Sequence, residues 1–310
     1  MCQSPSGISR VSVTPRPKPK GPVDSTLVPE THLRVDSSLV LIPVQVTTST
    51  GTSVTSLSQD NFELFDEGVE QKITHFSRED GPISIGLLFD SSGSMRNKIL
   101  QSSEAAAAFL RTANSDDEFF LVEFGDRPKL AVPFTPDADA IFRGILHNKP
   151  LGRTSLLDAI LMSLVEMKHA RNTRKAIVIL SDGGDNSSHY TPRQIRNALL
   201  ESDLQVYAIG IFDSNPAHRL AAEERNGPLL LDDLAEQTGG RLYQITNLDN
   251  LANTSARLSR DLRSQYVLGY SPSNEARDAK YHRVKLKVIP PEGTPRLRTY
   301  YRRGYYAPSE

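Results

Sequence analysis

The residues best suited to chemistry are oxygen-bearing side chains at the ends of apolar runs. Asp90 closes the run ISIGLLFD at 83–90 and is followed by Ser91-Ser92-Gly93-Ser94 and then a helix expected over 97–113. Thr154 stands in GRTSLLDAI, just before a helix expected over 155–170, and Asp182 lies in KAIVILSDG at 175–183. In an open α/β sheet, ligands bind outside the carboxyl ends of the strands. Asp90, Ser92, Ser94, Thr154 and Asp182 all fall on loops of that edge. The set is two carboxylates and three hydroxyls, without nitrogen or sulfur. A small hard cation prefers such ligands: Mg²⁺ takes near-octahedral oxygens at about 2.0–2.1 Å and usually keeps some water. The dipole of the helix after Asp90 disfavours a bare cation, so the carboxylates must outweigh it. Two carboxylates roughly balance a divalent charge and leave the ion able to accept another anion. Ligands on a loop rim lie outside the core, so Asp90→Ala and Asp182→Ala are expected to leave the fold intact.

Other residues compete for a role. Asp185, Asn186 and His189 follow Asp182 in SDGGDNSSHY, where they either support the cation face or simply favour turns. Asp158 stands one helical turn after Thr154 and either bonds the cation loop or is a solvated helix charge. The long connection at 213–228 leaves the same edge and is a candidate specificity loop. A nucleophilic reading would use Ser92 or Ser94 with His189 as base. It lacks GxSxG, because Asp90 stands where the first Gly belongs. Eight basic residues between Lys280 and Arg303, against Glu292 alone, read as a solvated strand face, because they alternate with apolar positions. Tyr300, Tyr301, Tyr305 and Tyr306 read as packing residues.

These side chains need a scaffold of strands and helices in alternation. Continuous apolar runs at 83–90, 118–125, 175–183, 204–212 and 241–246 read as strands covered on both faces. Helical periodicity spans 97–113, 137–148, 155–170, 191–202, 229–237 and 249–265. Such alternation predicts a doubly wound, mostly parallel sheet over residues 81–265. The flanks read differently. Residues 31–80 carry the alternating face Val40, Ile42, Val44, Val46 and two strand-like runs at 61–65 and 71–76, joined by an Asp66-Glu67-Gly68 turn. Residues 266–310 hold YVLGYSP, HRVKLKVIP and LRTYYRRGYY. Each flank has too few strands to be stable alone. They are expected to pair into one small all-β, sandwich-like module with the α/β domain inserted between them. Residues 1–30, rich in Pro and Ser, read as a disordered tether.

Composition narrows the classes. The 310 residues carry a formal net charge of −1 and a pI of about 6.7, unlike a protein that holds nucleic-acid phosphates. No apolar run approaches the ~18 residues of a membrane span. One cysteine, Cys2, excludes an internal disulfide and a Cys-based zinc site within this sequence. A Cys before a Ser/Pro-rich linker is also how a mature bacterial lipoprotein starts, although no signal peptide is present in this sequence.

DSSGS at 90–94 with Thr154 and Asp182 resembles the metal-ion-dependent adhesion site of the von Willebrand factor type A domain. The family pattern is Asp-x-Ser-x-Ser, a Thr before a helix, and an Asp after a central strand. The resemblance implies a Rossmann-like fold over 82 to about 262 and a bound Mg²⁺ or Mn²⁺. It implies direct ligation by Ser92 and Ser94, direct ligation by Thr154 in the ligand-bound state, and direct or water-mediated ligation by the two aspartates. It further implies a non-enzymatic adhesion or scaffolding role, with a protein partner presenting Glu or Asp. Asp60-Asn61-Phe62, Gly68, Phe76, Gly269-Tyr270 and Gly304-Tyr305 are similar to the flanks of bacterial "von Willebrand A-related" proteins. Those are common in acidobacteria and usually exported, which implies a periplasmic, extracellular or Cys2-anchored protein. The alternatives are a hydrolase using the metal or a DSSGS serine, and a subunit of a larger ATPase machine.

Overall fold

The computed structural model describes residues 39–147, 150–212, 222–245, 250–273, 280–294 and 296–307. The tether at 1–30, the Cys2 anchor and most of the connection expected at 213–228 lie outside the described residues. Among the described residues, four strands come first, β1 (Val40–Thr48), β2 (Phe62–Asp66), β3 (Val69–Gln71) and β4 (His75–Glu79). Strands and helices then alternate: β5 (Ile83–Asp90), α1 (Ile99–Leu110), β6 (Glu118–Phe124), β7 (Pro128–Thr135), α2 (Ala138–Leu146), α3 (Leu156–Glu166), β8 (Arg174–Ser181), α4 (Pro192–Glu201), β9 (Gln205–Ile211), α5 (Ala222–Gln237), β10 (Leu242–Ile245) and α6 (Leu251–Arg263). Four strands follow: β11 (Gln265–Tyr270), β12 (Tyr281–Val288), β13 (Leu297–Tyr301) and β14 (Gly304–Tyr306).

The central sheet runs β10-β9-β8-β5-β6-β7, parallel except for β7. Every residue of β5 is buried, as expected of a strand covered on both faces. Ile85, Leu87 and Phe89 pack with Phe109 of α1 and Leu258 of α6. Leu88 faces the other way, with Phe120, Ile160 of α3, Ile195 of α4 and Leu231 of α5. The fold is thus α/β and doubly wound, with two apolar layers separated by one sheet. Strand β7 was not anticipated from the sequence, because Pro128 and Pro133 argue against a strand. It sits at the sheet edge, where a missing ladder donor is tolerated.

The remaining strands form two antiparallel four-stranded sheets, β13-β1-β11-β4 and β14-β12-β2-β3. Each contains strands from both ends of the described chain. Both contribute to one apolar cluster, including Ile42, Val44, Leu64, Leu268, Leu286 and Tyr301. The chain leaves for the central sheet after β4 and re-enters through β11, and Glu79 pairs with Gln265 at that crossing. A buried Asp66 accepts from Tyr270 (3.1 Å), Tyr305 (2.9 Å) and His282 Nδ1 (3.3 Å). One carboxylate so joins β2, β11, β12 and β14.

Three local readings are corrected. The single strand expected at 71–76 is two, β3 and β4, in different sheets. The turn before β3 has φ of 47° at Glu67 and 84° at Gly68, the pair of positive values a two-residue hairpin demands. LRTYYRRGYY is also split between sheets, and Arg302 is no solvated strand residue. Its side chain is 13% exposed, pairs with Asp203 and lies 5.9 Å from the Tyr305 ring. Finally, α5 begins at Ala222, so part of the stretch expected to be loop is helix despite Pro228 inside it. Among the described residues, no helix is long and apolar enough to cross a membrane.

Candidate functional site

Strands β5 and β8 are parallel neighbours, with Phe89 beside Leu180. Asp90 and Asp182 therefore emerge side by side at their carboxyl ends. The backbone N–H of Ser92 donates to Asp90 Oδ1 at 2.9 Å, and Ser181 Oγ donates to Asp90 Oδ2. Ser181 Oγ itself accepts from Gly183 N–H at 2.9 Å, and Gly184 N–H donates to Asp182 Oδ1 at 3.2 Å. Ser92 Oγ and Ser94 Oγ are 3.1 Å apart and share a hydrogen bond.

Thr154 lies on a neighbouring loop and is buried. That loop meets the Ser91–Gly93 turn through two backbone bonds, Gly93 N–H to Gly152 O at 3.0 Å and Leu151 N–H to Ser91 O at 2.9 Å. Asn186 clamps Thr154. Its side-chain oxygen accepts from Thr154 N–H at 2.9 Å, while its own N–H donates to Thr154 O at 3.0 Å. Asp90, Ser92, Ser94 and Asp182 are thus gathered at adjoining strand ends, and Thr154 sits on the loop bonded to them.

The surrounding candidates mostly support α3. Asp185 Oδ1 accepts from Leu157 N–H at 3.3 Å and from Ser188 Oγ. It offers charge and an acceptor at the helix start, where Ser188 Oγ also accepts from Leu157 N–H and Asp158 N–H. Burial holds the Asp185 carboxyl above its ordinary value. Asp158 accepts from His189 N–H at 2.8 Å and pairs with His189 Nδ1 at 2.7 Å, tying α3 to the loop after Asp182. His189 is committed to Asp158, and its side chain is 79% exposed.

The carboxylates do not lie on an exposed rim as expected. Asp90 is 0% and Asp182 1% exposed, because the 91–93, 151–154 and 183–186 loops close over the strand ends. Burial, and next the charge of Asp182, push the Asp90 carboxyl up to about 7, against the hydrogen bonds from Ser181 and Ser92 that favour its ionised form. Sequence reasoning also missed Lys98, whose Nζ donates to Asp182 Oδ2 at 2.7 Å. The signal was a cation in the first turn of the helix expected over 97–113, where the dipole disfavours it.

The donor set fits a hard divalent cation on two grounds. It is all oxygen, and it holds two buried carboxylates of which Asp182 alone is paired with an ammonium, that of Lys98. Among the described residues, no cluster of three or more His, Cys, Asp or Glu offers a competing metal site.

Residues 85–184 match the family model described as the von Willebrand factor type A domain. An uncharacterized protein of Borreliella burgdorferi is 25% identical over 168 residues, covering 50% of this chain and 49% of its own length. An uncharacterized protein of Synechocystis is 23% identical over 194 residues, covering 59% of this chain and 46% of its own. The chain spans about half the length of these curated relatives. Among solved structures, a von Willebrand factor type A protein from Catenulispora acidiphila superimposes with a TM-score of 0.50 at 13% identity, over 80% of this chain and 73% of that one. Proximal thread matrix protein 1 of the mussel byssus gives 0.50 at 17% identity, over 64% and 51%. Both likenesses concern the fold.

Proposed function

Because this chain carries a von Willebrand factor type A domain, we propose that it is a cation-dependent binding protein whose partner presents a Glu or Asp side chain. The observation that carries the reading is the pair of buried carboxylates, Asp90 and Asp182, beside the bonded hydroxyls of Ser92 and Ser94. Asp90, Ser92, Ser94, Thr154 and Asp182 would hold Mg²⁺ or Mn²⁺. When bound, the ion supplies a Lewis-acidic attachment point for an external carboxylate. Ser181 and the Ser92 N–H orient Asp90, Gly184 orients Asp182, and Asn186 fixes the Thr154 backbone. The burial of Asp90 and Asp182 lowers the local dielectric, which strengthens a charge-assisted contact made there.

The non-catalytic reading is favoured over a serine hydrolase by one pairing: the Ser92 and Ser94 hydroxyls are bonded to each other. A peptide array in which each Asp or Glu has an Asn or Gln counterpart tests the proposal. The full chain is expected to bind acidic spots in Mg²⁺, and neither their amide counterparts nor any spot in EDTA. Equal binding in EDTA would overturn it.

A further inference from the structure

Lysines are seldom buried unless paired, and cations are disfavoured at helix starts. Lys98 meets the first rule only through a partner and breaks the second. It occupies the N-cap position of α1, a helix with no acidic residue in its first turn to offset the charge. Its side chain is only 11% exposed. What holds it is Asp182, 2% exposed at the side chain, through a 2.7 Å contact to Oδ2. The second oxygen of Asp182 takes the Gly184 N–H. One of the two buried carboxylates in the candidate ligand set therefore has a donor on each oxygen, and the other, Asp90, is engaged by Ser92 and Ser181 without a cation. A local rule broken at a site, with compensation supplied from across the fold, is a mark of function.

We propose that Lys98 is the resident counter-cation of this site: it holds Asp182 when no divalent ion is bound, and the incoming ion displaces it. The inference rests on the cation-site reading above. Two negative charges cannot favourably retain three positive ones in a closed pocket, and the ammonium is the mobile partner. It is a point charge on a flexible four-carbon stem with a strong preference for hydration. The bound ion is compact and ligated from several sides. The consequence is regulatory. Lys98 sets the concentration at which the site loads, so that loading becomes an exchange of cations rather than the filling of a bare anionic hole. Displacement also places an ammonium at the rim, where an acidic partner would meet it.

The test uses the full chain with Mn²⁺ as probe, in the wild type, Lys98→Met and Lys98→Arg. Calorimetry is expected to show Lys98→Met binding Mn²⁺ roughly tenfold or more tightly than wild type, as removal of a competing charge at short range requires. Lys98→Arg, which keeps the charge, should stay near wild type. Melting in EDTA should be depressed in Lys98→Met and restored by Mn²⁺. A second measurement needs no variant: amine labelling of the wild type, read by mass spectrometry, should modify Lys98 faster in Mg²⁺ than in EDTA. Unchanged or weaker Mn²⁺ binding by a folded Lys98→Met, or labelling that Mg²⁺ slows or leaves unchanged, overturns the exchange. If the wild type and Lys98→Met both fail to bind Mn²⁺, the cation reading itself falls and this inference with it.

Discussion

Asp182→Ala is expected to destabilise the metal-free protein substantially, contrary to what a rim position would imply. The side chains of Lys98 and Asp182 are 11% and 2% exposed and meet at 2.7 Å. Removing one member of a buried pair typically costs about 3–5 kcal/mol when the remaining charge stays buried; the flexible Lys98 stem can carry its ammonium toward the rim, which offsets part of that cost. The Gly184 N–H also loses its acceptor, which adds about 1 kcal/mol. Against this, the Asp90 carboxyl is relieved of a like charge that helps to push it up to about 7. The net expectation is the lower end of the range, about 3 kcal/mol. For domains of this class that is roughly 6–12 °C in melting temperature. Urea unfolding in EDTA, followed by circular dichroism, measures it. The double variant Lys98→Met/Asp182→Ala removes both charges and should recover about 2 kcal/mol over Asp182→Ala. An Asp182→Ala protein within about 1 kcal/mol of wild type, or a double variant no more stable than the single, would refute the reasoning.

Three further outcomes are expected. Gly183 has φ of 79° and its added Cβ would run into the backbone of Gly227, so Gly183→Ala should cost about 2 kcal/mol or more and weaken Mn²⁺ binding by moving Asp182; wild-type values for both would contradict it. Tyr270→Phe removes one of three bonds to the buried Asp66 carboxylate and should cost about 1–2 kcal/mol in urea unfolding, whereas no change would mean the Tyr270 hydroxyl adds nothing. Burial pushes the Glu118 carboxyl up, but hydrogen bonds from Ser84 and Arg171 outweigh it and hold the group below its ordinary 4.5. The unfolded chain then binds the proton first, so this contribution is present above pH 4.5 and is lost as pH falls through the lower folded value. Glu118→Gln should therefore be less stable than wild type at neutral pH, with the gap closing on acidification; a gap independent of pH would count against it.

The parallel strands were legible because each is a continuous apolar run, and β5 is buried at every residue as such a run implies. Asp90 and Asp182 were legible as neighbours because both follow such strands. Their burial was not, since it depends on three loops that are distant in sequence and close over them. Lys98 was missed because its partner lies 84 residues away and no local pattern names it. Strand β7 was masked by its prolines, and only its edge position explains it. The run at 71–76 read as one strand because its alternation continues through the point where the chain passes from one sheet to the other. The clamp of Asn186 on Thr154 is likewise tertiary: a turn-favouring residue and a backbone clamp look alike in sequence.

Uptake of a divalent ion by the carboxylates at the ends of β5 and β8 is tested by titrating Mg²⁺ or Mn²⁺ into the full chain by calorimetry, beside Asp90→Asn. Asp90→Asn keeps the side-chain shape and removes the charge. The prediction is saturable binding of a single ion by the wild type, lost in Asp90→Asn while its circular dichroism is unchanged. No binding by the wild type, or equal binding by Asp90→Asn, would contradict the account.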